Sequence, residues 1–142
     1  MERTVKTQTK EISMLSEFVK TADWKSEKHV PLIECPAEVA AGEAFDITVS
    51  VGKEIAHPNT TAHFIAWIAL HYVPEGSKAS IELARCEFSA HGASAEGPDK
   101  GPAFTQSCVK ISAKLAKSGK LYATEFCNIH GLWASEKAIT VK

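Results

Sequence analysis

The chain has four cysteines, at positions 35, 86, 108 and 127, and no Cys-x-x-Cys pair among them. No paired-thiolate motif can be written, and in a reducing cytosol all four are expected to stay thiols. Apolar runs long enough to cross a bilayer are absent, which excludes a helical membrane span. The N-terminal MERTVKTQTKE lacks the apolar stretch of a secretory signal, so a cytoplasmic location is the expectation. Excess charge is also missing: the net charge is −1, and no basic patch is interleaved with aromatics. Nucleic acid is therefore not an expected partner, and an anionic small substrate would have to be drawn by local charge. Internal repeats and low-complexity segments are absent. What is present is an ordinary globular composition, 44% hydrophobic and 23% charged, in 142 residues. That length suits one domain burying roughly two thirds of its unfolded surface.

Two periodicities organise the chain. Ile12, Leu15, Phe18 and Val19 recur at helical spacing, predicting a short amphipathic helix within residues 11–20 as a cap on the core or a subunit contact. Beyond it the period becomes two: Phe45, Ile47, Val49 and Val51 alternate with polar residues, the pattern of a half-buried strand. Further strand-like runs are Val30 to Glu34, His63 to Val73, Ser80 to Ala90, Phe104 to Ser112, Lys120 to Cys127 and Lys137 to Val141. Turn signals at Pro74-Glu75-Gly76 and Lys117-Ser118-Gly119 separate them, and His91 to Pro102 reads as a long loop. The expected fold is all-β, a seven-stranded antiparallel immunoglobulin-like sandwich preceded by a short helix. The division is an extension over 1–20 and one domain over 21–142.

The chemistry concentrates in three segments. Cys127-Asn128-Ile129-His130-Gly131-Leu132-Trp133 sets a thiolate and an imidazole at a metal-site spacing at a strand end, where following N–H groups can point back at sulfur. His57-Pro58-Asn59-Thr60-Thr61-Ala62-His63 and Glu27-Lys28-His29-Val30-Pro31 bring three more imidazoles. His63 and His71 share a strand phase but are eight residues apart, roughly 26 Å, and cannot hold one ion. His57 can curl back toward His63 through the turn-forming Pro58-Asn59, whereas His71 has no such neighbour. His71 and His91 read as surface or loop histidines. Cys35, Cys86 and Cys108 match no ligand motif and read as structural, and Trp67 and Trp133 as core or shielding residues rather than redox relays.

These segments, EKHVP, GKEIAHPNTTAHFIAWI (Gly52 to Ile68) and LYATEFCNIHGLW (Leu121 to Trp133), together with the loop EFSAHGASAEGP (Glu87 to Pro98), resemble in order and spacing those of the short, single-iron superoxide reductases. These are also called neelaredoxins, of the desulfoferrodoxin superfamily. The resemblance runs from about Phe18 to Val141. The longer family members add an N-terminal domain with a four-Cys iron site, and this chain has no cysteine before Cys35. Ala62 and Phe64 stand where the family frequently has Glu and His, a departure at the rim of the site.

The resemblance implies one mononuclear iron per chain, Fe2+/Fe3+, with Cys127 as axial ligand and His29, His57, His63 and His130 as the equatorial four. Five such ligands overfill a structural zinc site and suit an octahedral ion with one open position, where thiolate pushes electron density across the metal. The implied activity is one-electron reduction of superoxide to hydrogen peroxide without oxygen production, an antioxidant role in an anaerobic or microaerophilic cell. It further implies that Lys28 draws superoxide and organises water, that Glu27 can ligate the oxidised iron, that a rubredoxin-like or other small carrier donates electrons, and that the chain forms a homotetramer. Without the family, Glu27 and Lys28 read as a solvated pair. A cupredoxin-like electron carrier is the rival, since it also uses Cys-x-x-His on a β-sandwich. Its axial sulfur comes from a Met soon after that His, and the only methionines are Met1 and Met14. An immunoglobulin-like interaction module leaves the histidines unexplained.

Overall fold

The structure, a computed structural model, describes residues 13–142. Eight strands form two sheets: β1 (Leu32–Glu34), β2 (Glu38–Val39), β3 (Phe45–Ser50), β4 (Ile65–Pro74), β5 (Ile81–Glu87), β6 (Cys108–Ala113), β7 (Gly119–Cys127) and β8 (Gly131–Val141). The smaller sheet has the order β1-β3-β6 and the larger β2-β8-β7-β4-β5. The alternation that predicts β3 is obeyed, with Ile47 and Val49 at most 1% exposed. They share one core with Ile68, Leu70 and Tyr72 of β4 and with Leu121 and Ala123 of β7. Apolar side chains from both sheets leave water together, which is what holds the layers to each other.

The all-β expectation holds, and its details change. Among the described residues there are eight strands instead of seven, and the set is not wholly antiparallel, because β2 pairs in parallel with the end of β8. A two-residue strand is too short to show alternation, so only its distant partner defines it. β8 starts at Gly131 instead of Lys137, continuing directly from the Cys127 turn. β4 starts at Ile65, which leaves His63 in the preceding loop, and β6 starts at Cys108, with Phe104 making only an isolated bridge to His91. A register shift between Ile65 and Trp67 breaks the expected single face of β4. Past it Ile68, Leu70 and Tyr72 turn inward while Trp67 packs outside on Phe126.

Of the helix expected over 11–20, residues 11 and 12 lie outside the described residues. The remainder is a single 3-10 turn, Leu15–Phe18, with nothing buried. Met14, Leu15 and Phe18 stay more than 60% exposed, so this turn does not cap the core. Among the described residues no helix is long and apolar enough to cross a membrane.

Register decides where the chemistry falls. Leu32 lies opposite Ser50 across β1 and β3, and Ile65 opposite Cys127 across β4 and β7. The segment before β1, the β3–β4 connection and the β7–β8 turn therefore emerge at one end of the molecule.

Candidate metal centre

Each of the three segments is shaped by local chemistry before any of them meet. Ahead of β1, the carbonyl of Asp23 accepts the N–H groups of Ser26 and Glu27, while its carboxylate accepts that of Lys25, making a compact turn. That turn delivers Glu27, Lys28 and His29, and His29 is anchored by the buried Val30 and Pro31. After β3 the chain reverses at Gly52, whose φ is +87° and whose missing Cβ would lie 2.7 Å from the His57 nitrogen. Only glycine serves there without strain. After β7, Cys127 pairs with Gly131, so Asn128, Ile129 and His130 form a three-residue hairpin loop closed by a glycine at φ +83°.

Four donor atoms converge: one from each of His29, His57, His63 and Cys127, all within 4.8 Å of one another. His130 joins them, with Nδ1 3.1 Å from His29 Nε2 and 3.8 Å from Cys127 Sγ. All five residues expected at the site are thus together. Cys127 is fully buried, and the backbone N–H of His130 points at its sulfur from 3.4 Å, the back-pointing geometry anticipated for this turn.

The outer nitrogens are set as metal ligands require. His29 donates Nδ1–H to Glu27 Oε1 at 2.6 Å, and His57 donates Nδ1–H to the Pro58 carbonyl at 2.6 Å. Each bond fixes a tautomer that leaves Nε2 as a lone pair facing inward. Glu27 also accepts the His29 backbone N–H at 3.1 Å, so in this structure its carboxylate holds the first histidine in place.

Burial lowers the pKa of all three upstream histidines. His57 falls to about 4, mainly through desolvation, with the bond to Pro58 opposing the shift. His29 and His63 are lowered by the same cause, and the positive charge of Lys28 adds to it at each. Glu27 is held below the usual carboxylate range chiefly by its bond to His29. Neutral imidazoles and a charged outer carboxylate are the protonation states a cation needs.

The donor set itself tests the fit of a metal. His57 Nε2 and His63 Nε2 are buried with no hydrogen-bond partner. Buried polar atoms rarely stay unpaired, and two in residues clustered with a buried thiol leave a cation as the natural partner. The residues present therefore fit a soft-to-borderline metal held by imidazole and thiolate.

Histidines left out of the site by the sequence are left out of it here. His71 lies on β4 beside Glu82 at 3.9 Å, and His91 belongs to the long loop. His91 is nevertheless buried, at 8% exposure, with each ring nitrogen 2.7 Å from a scaffold oxygen, so it is no surface residue. Trp133 does shield, stacking on His29 with centroids 4.9 Å apart and planes 12° apart. Cys35, Cys86 and Cys108 are half-buried thiols away from the cluster, and burial pushes the Cys35 thiol up.

Sequence reasoning missed the supports. Asn128 clamps the hairpin to the histidine loop: Oδ1 accepts from Phe64 N–H at 2.8 Å and Nδ2 donates to the Ala62 carbonyl at 2.9 Å. Glu125, fully buried with neither carboxylate oxygen bonded, was also missed. Its signal lies in the period of two, since Leu121, Ala123, Glu125 and Cys127 share the inward phase of β7.

Fold and site together define a β-sheet protein with a built histidine–thiolate metal centre. A family profile described as Desulfoferrodoxin matches residues 21–136, and the chain belongs to that family. It is 53% identical to the neelaredoxin of Megalodesulfovibrio gigas over 128 residues, 90% of this chain and 98% of that protein. To the superoxide reductase of Pyrococcus furiosus it is 48% identical over 123 residues, 87% and 97% of the two chains. The structure of the reduced superoxide reductase (neelaredoxin) from Archaeoglobus fulgidus superposes with a TM-score of 0.80 at 51% identity, covering 87% of this chain and 98% of that one.

Proposed function

We propose that this chain is a superoxide reductase: it takes one superoxide, one electron and two protons to hydrogen peroxide, releasing no oxygen. The carrying observation is the convergence of donors from His29, His57, His63 and Cys127 within 4.8 Å, with His130 against them. In this reading His29, His57 and His63 give Nε2, His130 gives Nδ1 and Cys127 gives its thiolate to one iron. When bound there, iron supplies an Fe2+/Fe3+ couple and a Lewis-acidic seat for a small anion.

The remaining roles belong to the chain. Cys127, buried and approached by the His130 N–H, is held as a sulfur donor of fixed direction. Glu27 orients His29 through its outer nitrogen, and the family role of this glutamate as a ligand of oxidised iron requires it to leave that bond. Lys28, whose charge is felt at His29, His57 and His63, attracts superoxide to the site. A copper-carrier reading is not favoured, because a His₂Cys site leaves two of these histidines unused.

The same reading takes 21–142 as the iron-binding unit, supported by the family match over 21–136, and 1–20 as an extension. It takes the two sheets with one shared core as immunoglobulin-like. It assigns a small rubredoxin-like electron donor. It also assigns a homotetramer, for which the exposed Met14, Leu15 and Phe18 offer apolar contact surface.

The test combines metal analysis with stoichiometry. The purified protein is expected to hold about one iron per chain. It should yield peroxide with one donor electron consumed per superoxide, and stop when the donor is withheld. Cys127→Ser should abolish the thiolate-to-iron absorption band. Oxygen evolution at a comparable rate without reductant, or full activity in an iron-free copper-loaded sample, overturns the reading.

A further inference from the structure

His91 has a polar environment that its exclusion from the metal site does not explain. Its Nδ1 lies 2.7 Å from Asn59 Oδ1 and its Nε2 lies 2.7 Å from the Phe88 carbonyl. Both nitrogens thus face oxygens of the scaffold, and the ring is turned away from the metal cluster. The ring also stacks on Phe64, with centroids 3.9 Å apart and planes 12° apart. Asn59 and Phe64 matter because of where they stand: Asn59 lies two residues past His57, and Phe64 directly follows His63.

The loop between those two histidines has little structure of its own. Besides the His57 bond to the Pro58 carbonyl, it is tied internally by Thr60 N–H to the His63 carbonyl and His63 N–H to Thr60 Oγ1, both 3.0 Å. Its remaining ties run to neighbouring segments. Asn59 Nδ2 donates to the Thr105 carbonyl at 3.0 Å, and Thr61 N–H donates to Asp99 Oδ1 at 2.7 Å. The base that receives these bonds is itself cross-tied. Thr105 N–H reaches the Ala90 carbonyl at 2.7 Å and Gly101 N–H the Gly92 carbonyl at 2.9 Å. At Gly101 a Cβ would lie 2.5 Å from the Ala93 carbonyl oxygen, so the two strands of this loop pack at backbone distance.

We propose that His91 is a positioning residue for the metal centre: acting through Asn59 and Phe64, it sets the directions in which His57 and His63 present Nε2. A leucine would fill the same space, but only a ring N–H directed at Oδ1 fixes Asn59 in angle as well as in place. Asn128 holds the same loop from the opposite side through Ala62 and Phe64. The two histidines are therefore clamped between the long loop and the Cys127 hairpin. The proposal rests on the reading of His57 and His63 as iron ligands.

The test uses the full-length, iron-loaded protein and the variants His91→Leu, His91→Gln, Asn59→Leu and the Leu/Leu double variant. His91→Leu should weaken iron binding about tenfold, the lower end for loss of an outer-shell partner, and shift the ferric EPR signal and the midpoint potential. His91→Gln, which keeps a donor for Asn59, should restore most of the wild-type spectrum. Asn59→Leu should reproduce His91→Leu, and the double variant should be no worse than either single one, because both cut the same bridge. If His91→Leu does not fold, Asn59→Leu carries the test through the same readouts. Folded, iron-loaded variants with wild-type EPR, potential and affinity overturn the proposal, as do strictly additive effects. A wild-type protein that takes up no iron would instead overturn the metal-site reading beneath it.

Discussion

At Glu125 a carboxyl sits on the inward face of β7 with Leu121, Ala123 and Cys127, fully buried and with neither oxygen bonded. Burial raises its pKa from 4.5 to about 9, so the folded protein keeps it protonated at neutral pH. In the unfolded chain the same group ionises near 4.5. Stability is therefore full below that pH, falls as pH rises, and levels off only above about 9. At pH 7 the loss is on the order of 3 kcal/mol. Glu125→Gln should remove this slope, and denaturant melts of the metal-free protein at pH 5 and pH 8 should show the variant gaining relative to wild type at the higher pH. An unchanged difference between the two pH values would mean that the carboxyl finds a partner or water. His29, His57, His63, Cys127 and His130 could be singled out as candidates in the sequence because their three segments resemble a family's in order and spacing. Glu125, Asn59, Asn128 and His91 were not, since their importance depends on what lies across space from them.

Among the elements, the β3–β4 connection bears most directly on the site, because it carries two of the histidines. Its direction is set where Gly52 adopts φ +87° within 2.7 Å of the His57 nitrogen. Gly52→Ala combines a strained backbone with a clash against main chain, costing roughly 1–3 kcal/mol. The nearest relief is to move His57. Thermal melts should therefore show lower stability, and iron titration a weaker site; wild-type iron affinity in a folded Gly52→Ala protein would show that the loop tolerates another path. The strands were read with uneven success for similar reasons. β3 and β7 alternate cleanly and match their predicted runs closely. β2 has two residues and no pattern, and the bulge in β4 is a pairing event that one strand's sequence does not encode.

The whole molecule carries its site at one end of a hydrophobic core, with Cys127 belonging to both. Ile47, Ile68, Leu70 and Leu121 are all within 2% of full burial and do not involve the ligand loops. Metal removal should accordingly leave the sheets intact while freeing residues 51–64 and 127–131. Hydrogen exchange on the chelated protein should show rapid exchange in those two segments with β4 and β7 still protected. Saturating iron at about 100 times its Kd stabilises by about 2.7 kcal/mol, so chelation should lower Tm by on the order of 10 °C. Uniform loss of protection across both sheets would mean instead that the metal is needed for the fold itself, as in small zinc-dependent domains.

The linear sequence determined the all-β class, since period-two burial is a local property that survives without a partner, and its resemblance to a known family singled out five candidate donors. The tertiary structure decided how those donors converge, because convergence depends on strand register: Ile65 opposite Cys127 and Leu32 opposite Ser50 bring three separate segments to one end. It also decided which neutral residues act as supports, because a hydrogen bond such as Asn128 to Ala62 or His91 to Asn59 joins positions whose distance along the chain carries no information about their distance in space.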